Sequence, residues 1–397
     1  MNLQNLIVCR NLLDDEIFNR AENEFEISAK LIEKAEILGL SRNLFRSYLI
    51  YKLAHDGNLI SETAEKTCGK VGDSLKKIFV RDIEILLPIF LQENFSGTLE
   101  QIKNYQPTEK NKTENLIQLE KNLENISDAE KIAEVFIEHY KKFGTGDIAA
   151  CRAFRWDSET KNLVGIKNFE DFRLSDLIGY AHQKELLTKN TLAFLAKKPA
   201  NNVLLVGARG TGKSSGVKAL VNEYYAEGFR LVQITKPQLK YLSQVMETLK
   251  KFASRRFIIF LDDLSFDESE TEYKYLKSAI EGGVEPRPEN ILIYATSNRR
   301  HLIRETWRDR HDDQDELYRD DSVNETISLS DRFGLIIHYY APTQTEYLEI
   351  IRHMLKKNGV DLEGEELRIE GLRWEMSHSG RNGRTAKQFV NFYLGQR

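Results

Sequence analysis

The sequence predicts an α/β fold: a parallel sheet with helices on both faces, a small helical bundle after it, and a mainly helical domain before it. Three observations predict this. From Val203 onward, apolar runs of strand length alternate with helix-compatible segments, the pattern of a sheet buried on both faces. The first run, Val203-Leu-Leu-Val206, leads into Gly207-Ala-Arg-Gly-Thr-Gly-Lys-Ser214, a glycine-rich turn that opens a helix. Residues 1 to about 145 instead carry apolar residues at helical spacing.

The 397 residues allow two or three domains with ample core. A net charge of -4 argues against a global positive field for nucleic acid or anionic membrane. Cys9, Cys68 and Cys151 form neither a disulfide framework nor a zinc pattern, which fits a reducing cytosol. The apolar run Ile83 to Leu91 is too short to span a bilayer. A soluble, cytoplasmic protein without membrane contact is expected.

In the first region Leu13, Ile17, Ala21, Phe25, Ser28, Ile32 and Ala35 recur at helical spacing, with Gly39 as a stop and Ser41 as the next cap. Leu44, Phe45, Tyr48, Leu49 and Leu53 repeat the pattern, ending at Asp56-Gly57. Val71 to Leu91 predicts another helix, and Thr98 to Thr113 a loop. Ser127-Asp-Ala-Glu130 reads as a capping box for a helix that Gly144 terminates. His139 has no carboxylate or thiol at ligand spacing and reads as a half-buried histidine. Nothing catalytic stands out in this half.

Cys151 to Trp156 and Leu163 to Ile166 predict a hairpin. A helix from about His182 to Ala196 precedes the glycine-rich turn. That turn, between strand and helix, is the GxxxxGK[ST] phosphate-binding loop, Walker A. Gly207 and Gly212 let the backbone wrap, so that N–H groups along Ala208, Arg209, Gly210, Thr211 and Ser215 can point at phosphate oxygens. Lys213 supplies a point charge for the β- and γ-phosphates, and the Ser214 hydroxyl a ligand for Mg²⁺. The helix N-terminus adds partial positive charge.

Phe229 to Ile234 predicts the next strand and Pro237 to Phe252 a helix. Phe257-Ile-Ile-Phe-Leu261 then ends in Asp262-Asp263, the Walker B arrangement. Asp262 would hold Mg²⁺ and Asp263 would orient or deprotonate the attacking water. A helix from Glu272 to Gly283 follows, then strands ending at Asn298 and at Tyr339. The polar residues fall at strand carboxyl ends, where open α/β sheets bind ligands. Residues 304 to 325 are dense in charge and net acidic, and read as a solvated excursion. Helices Thr345 to Lys357, Glu365 to His378 and Thr385 to Leu394 complete the chain.

Taken together, residues 170 to 397 resemble the AAA+ ATPases. The resemblance implies that Asn298 is the sensor-1 residue aligning water near the γ-phosphate. It implies that Arg332, in Ser330-Asp-Arg-Phe333, is an arginine finger acting on a neighbour's nucleotide, and that Arg384 is the sensor-2 arginine, with Arg381 less suited. Ile178-Gly179 sits where a chain could close over an adenine ring, or is a plain turn. More specifically, the chain resembles an uncharacterised bacterial group of ATP-binding AAA proteins, domain of unknown function 815. Asn201 to Gly207, Asp262 to Phe266, Tyr294 to Leu302 and Ser328 to Gly334 carry that resemblance. Domains follow at 1–146 (mainly helical), 147–170 (hairpin linker), 171–342 (P-loop core) and 343–397 (helical lid).

The expected activity is Mg²⁺-dependent ATP hydrolysis in a homo-oligomer, with Arg332 acting in trans, coupled to remodelling an unidentified macromolecular partner. One departure tempers the rate. Most relatives in the resemblance have Asp-Glu where this chain has Asp262-Asp263, and the shorter base predicts a slow ATPase; Glu268 is near enough in sequence to substitute, though it reads better as a helix cap. The alternative class is a nucleotide-dependent binding module or loader with little or no hydrolysis. Sequence-specific DNA binding is not expected: Lys250-Lys251, Arg255-Arg256 and Arg299-Arg300 are only local basic spots.

Overall fold

The computed structural model describes residues 3–18, 24–91, 100–109, 111–267, 270–282, 287–299, 302, 329–378 and 380–396. The expected charged excursion at 304–325, the substitute base Glu268 and Arg300 lie outside them. The chain forms two compact units: Met1–Cys151 with Lys251–Arg255, and Arg152–Lys250 with Arg256–Arg397.

The first unit is helical: α1 (Glu24–Leu38), α2 (Leu44–His55), α3 (Leu59–Lys66), α4 (Asp73–Phe90), α5 (Glu114–Asn122), α6 (Ala129–Phe143) and α7 (Gly146–Ala150). Phe79, Ile83 and Leu86 of α4 are buried with Ile132, Phe136 and Tyr140 of α6; each such side chain contributes about 1.5–3 kcal/mol. Asp82, fully buried on α4, accepts the N–H groups of Ile7 (3.0 Å), Val8 (2.7 Å) and Cys9 (2.9 Å). The amino-terminal segment is thereby tied to α4. Arg255 of the Lys251–Arg255 piece donates to the carbonyls of Tyr140 (2.6 Å) and Lys141, which a helix C-terminus otherwise leaves without partners.

Several local expectations shift here. The helical spacing that starts at Leu13 divides: Leu13 lies in a 3₁₀ turn, Arg10–Asp14, and Phe25, Ser28, Ile32 and Ala35 lie in α1, with Ala21 outside the described residues. The cap of α2 is Asn43, whose side chain accepts Arg46 N–H, and not Ser41. The cap of α6 is Asp128, accepting Lys131 N–H, and not Ser127. Asn, Asp and Ser cap about equally well, so the position of each side chain relative to the first turn decides which one caps. His139 is buried rather than half-buried.

The second unit holds β1 (Ala153–Asp157), β2 (Asn162–Gly165), α8 (Ala181–Leu195), β3 (Val203–Gly207), α9 (Lys213–Tyr224), β4 (Phe229–Gln233), α10 (Leu242–Lys250), β5 (Arg256–Leu261), α11 (Glu272–Glu281), β6 (Ile291–Ser297), β7 (Leu335–Tyr339), α12 (Gln344–Lys357), α13 (Gly364–Met376) and α14 (Gly383–Gly395). Among the described residues the strands make one seven-stranded sheet in the order β2-β1-β4-β5-β6-β3-β7. Every pairing is parallel except that of β1 with β2. The hairpin read as a linker is instead the edge of the sheet, because Ala153 pairs in parallel with Leu231 of β4. The segment from Pro237 begins as a 3₁₀ turn, Lys236–Tyr241, before α10.

On β3, Val203 and Leu205 pack with Val217 and Leu220 of α9. The alternate residues Leu204 and Val206 are buried as well, so the strand is covered on both faces. β3 lies between β6 and β7; the chain passes from β3 toward β4 on one side, and from the neighbouring β6 to β7 on the other. That reversal opens a crevice at the carboxyl end of β3. The last three helices pack on one another around Tyr347, Ile351, Leu355 and Phe389.

Candidate nucleotide site

The turn after β3 takes its shape from its glycines. Gly207 has φ +150°, and a Cβ there would stand 1.9 Å from the Tyr339 carbonyl oxygen of β7. Gly210 has φ +72°, and its Cβ would stand 2.5 Å from Asn382 Oδ1. The carbonyl of Gly210 accepts the Gly383 N–H at 2.8 Å, so the loop before α14 rests directly on the phosphate-binding turn. Thr211 closes the turn by donating to Ala208 O (2.9 Å).

Lys213, buried at the start of α9, donates to the carbonyls of Gly207 and Ala208 (both 2.8 Å) and to Asn298 Oδ1 (3.1 Å). Burial pushes its pKa down while the carboxylates of Asp262 and Asp263 oppose the shift. The other end of the Asn298 amide donates to Asp263 Oδ1. One side chain at the end of β6 thus connects the P-loop lysine to the second acid. Ser214 donates to Asp262 Oδ1 at 2.5 Å, and Thr296 donates to the same oxygen at 2.6 Å.

Asp263 has φ +53°, a left-handed backbone that costs an L-residue about 1–2 kcal/mol. Its N–H donates to Thr296 Oγ1 (2.9 Å), and the next N–H, of Leu264, donates to Thr296 O (2.7 Å). Strain of this kind persists where surrounding contacts over-determine it.

These groups line a cleft of 770 Å³. Arg209, Gly210, Thr211, Gly212, Lys213, Ser214 and Ser215 line it, with Asp262, Asp263, Thr296, Asn298, Arg384 and Lys387. Leu177, Ile178 and Tyr180 line it too, with Ile350 and Met354 of α12; Leu177 lies against the turn, where a Cβ on Gly212 would stand 2.3 Å from its Cδ1. Asp176 fixes this wall, accepting the Lys357 ammonium and its own turn's Arg173 N–H, both at 2.9 Å. A volume of this size, lined by both apolar and cationic side chains, suits a nucleoside triphosphate.

The residues picked out from sequence are therefore placed as follows. The phosphate-binding turn, both aspartates, Asn298, Ile178 and Arg384 come together. Gly207 and Ala208 act behind the lining through their carbonyls, and Gly179 (φ +76°) shapes the turn next to Ile178. Arg381 is paired with Glu375 (2.8 Å) and does not line the cleft. Arg332 does not line it either; its guanidinium pairs with Glu281 at the end of α11. Sequence reasoning missed Thr296, although its spacing of two from Asn298 on a strand puts both on one face. It also missed Asp176, Lys357 and the Gly383 contact, which join segments far apart in the chain.

The donor set fits Mg²⁺. Among the described residues no cluster of three or more His, Cys, Asp or Glu side chains is placed to hold an ion. Mg²⁺ is commonly held by one or two carboxylates plus substrate phosphates, and the adjoining Ser214 and Asp262 oxygens fit that mode.

Residues 149–397 match the model of a family described as Protein of unknown function (DUF815). The chain belongs to this family. The resemblance to the DUF815 group read from its motifs is borne out, as is the α/β fold with its largely parallel sheet. Solved structures of the Thermotoga maritima RuvB Holliday junction branch migration motor are similar at a distance. One is 18% identical, with 55% of this chain and 63% of that chain covered and a TM-score of 0.39. A variant gives 18%, 55%, 64% and 0.40; another gives 16%, 56%, 72% and 0.38. In the first of these the match spans less than two thirds of the other chain. No curated protein matches the chain. Among the described residues, no helix is long and apolar enough to cross a membrane.

Proposed function

We propose that this member of the DUF815 family binds ATP with Mg²⁺ in the 770 Å³ cleft and hydrolyses it, as a cytoplasmic homo-oligomer that remodels a macromolecular partner. The observation that carries the reading is the chain of contacts Lys213–Asn298–Asp263, which joins a phosphate-binding cation to a candidate base through one amide. Lys213 would move its ammonium from the turn carbonyls onto the β- and γ-phosphates. Arg209, Arg384 and Lys387 add positive charge along the same wall. Ile178, Ile350 and Met354 would enclose the base. Mg²⁺, held by Ser214 and Asp262, would offset phosphate charge.

Asp263 would accept the proton of the attacking water, with Asn298 orienting its carboxylate. Arg332 would reach the γ-phosphate of a neighbouring subunit and stabilise charge developing there. Sequence-specific DNA recognition is not part of this reading. Calorimetric titration with Mg-ATP tests the binding step: micromolar or tighter affinity in the parent and none in Lys213→Ala supports the site, and equal affinity in both rejects it.

A second reading, a nucleotide-dependent binding module with little turnover, has its own observation. The short Asp263 side chain is already held by Asn298. Tight ATP binding without phosphate release above background would select it.

A further inference from the structure

Thr296 binds three consecutive residues at the end of the acid-bearing strand. Its hydroxyl donates to Asp262 Oδ1 at 2.6 Å and accepts the Asp263 N–H at 2.9 Å, while its carbonyl accepts the Leu264 N–H at 2.7 Å. The polarity of the hydroxyl contacts is fixed by chemistry. An amide N–H can only donate, so the lone pair of the hydroxyl is used there and its single proton goes to Asp262. The side chain is almost wholly buried, at 2% exposure.

In an extended strand, neighbouring side chains point to opposite faces. Asp262 and Asp263 would then diverge, and only one could meet the cleft. The left-handed turn at Asp263 (φ +53°) removes that alternation. It brings the second carboxylate to Asn298 while the first stays on Ser214. The Asp263 N–H that Thr296 holds belongs to the turned residue itself.

We propose that Thr296 is a positioning residue: its hydroxyl locks the left-handed turn at Asp263 and so aims both carboxylates into the cleft. This rests on the reading of the cleft as a Mg-ATP site. It also gives the short base a means of alignment, because the backbone turn sets the direction that a longer side chain would otherwise reach by its own torsions.

The test compares full-length parent, Thr296→Val and Thr296→Ser. Valine keeps the shape and removes the oxygen; serine keeps the oxygen. Three quantities are read: phosphate release, ATP affinity with Mg²⁺ and with chelator, and hydrogen exchange of the Asp263 amide. In Thr296→Val, kcat is expected to fall by about 10- to 100-fold, the cost of a small misplacement of a reacting group. ATP affinity in chelator should stay within about 2-fold, the gain from Mg²⁺ should shrink, and Asp263 exchange should accelerate by about 10-fold or more as its hydrogen bond is lost. Thr296→Ser should return to within about 3-fold of the parent in all three, which a purely space-filling role would not require.

Parent-like turnover in Thr296→Val overturns the proposal. If the parent itself releases no phosphate, the hydrolysis reading fails instead, and the exchange and Mg²⁺ measurements decide Thr296 alone: unchanged values overturn it. Thr296→Ala gives the same comparison should valine prevent folding.

Discussion

Ser214 Oγ and Asp262 Oδ1 stand 2.5 Å apart, joining the first turn of α9 to the end of β5. The pair brings a hydroxyl and a carboxylate from segments 48 residues apart to one point. Ser214→Ala removes one of two expected Mg²⁺ ligands and leaves Lys213 in place. Affinity for ATP in chelator should be unchanged, while the added affinity on supplying Mg²⁺ should fall by about 10-fold, or about 1.4 kcal/mol. Titrations with and without Mg²⁺ read both numbers.

Arg332 lies outside the cleft of its own chain, which fits action on a neighbour. Arg332→Ala should keep ATP affinity and lose at least about 10-fold in turnover. Mixing provides the sharper check. A Lys213→Ala subunit binds no ATP but still carries Arg332, so adding it to Arg332→Ala subunits should recover activity. Mixtures no better than their components would end the trans assignment.

Gly210 touches the loop before α14 on two counts, through Asn382 and through the Gly383 hydrogen bond. Gly210→Ala adds a Cβ where Asn382 Oδ1 stands and holds alanine at positive φ, a strain of about 1–2 kcal/mol. Weaker ATP binding by about 10-fold is expected, with the fold intact by circular dichroism. Gly210→Ala together with Asn382→Ala relieves the clash and should recover part of the loss.

His139 carries a pH prediction for the helical unit. Burial, with the charges of Arg255 and Lys142 adding to it, pushes its pKa from 6.5 to about 3. A histidine with a lowered folded-state pKa binds its proton in the unfolded chain first. Stability is therefore fully present above pH 6.5 and is lost as pH falls toward 3, by up to about 1.4 kcal/mol per pH unit. Denaturant unfolding of His139→Gln between pH 4 and 7 should show a shallower slope than the parent. Parallel slopes would contradict the assignment.

Much of the site was legible because its parts are local. A strand, a glycine turn and a lysine–serine pair occupy twelve consecutive residues from Val203 to Ser214, and the acids directly follow β5. The sheet was legible for the same reason, since strands covered on both faces are continuous apolar runs. What escaped depends on pairings across the chain. The hairpin at Ala153 joins the sheet only through β4, 76 residues on at Phe229, and no local pattern reports its neighbour. Thr296 reads as an ordinary β-branched strand residue until the turn at Asp263 is placed opposite it. Caps were misplaced by one or two residues because Ser, Asp and Asn compete within a single turn, and geometry alone picks the winner.

In the proposed reaction the second carboxylate works on water in a cleft that holds Mg-ATP. Phosphate release by the parent and by Asp263→Asn, under saturating Mg-ATP, tests it most directly. Steady release by the parent is expected, with a loss of at least about 100-fold in Asp263→Asn and ATP affinity preserved. Equal release by the two proteins would contradict it.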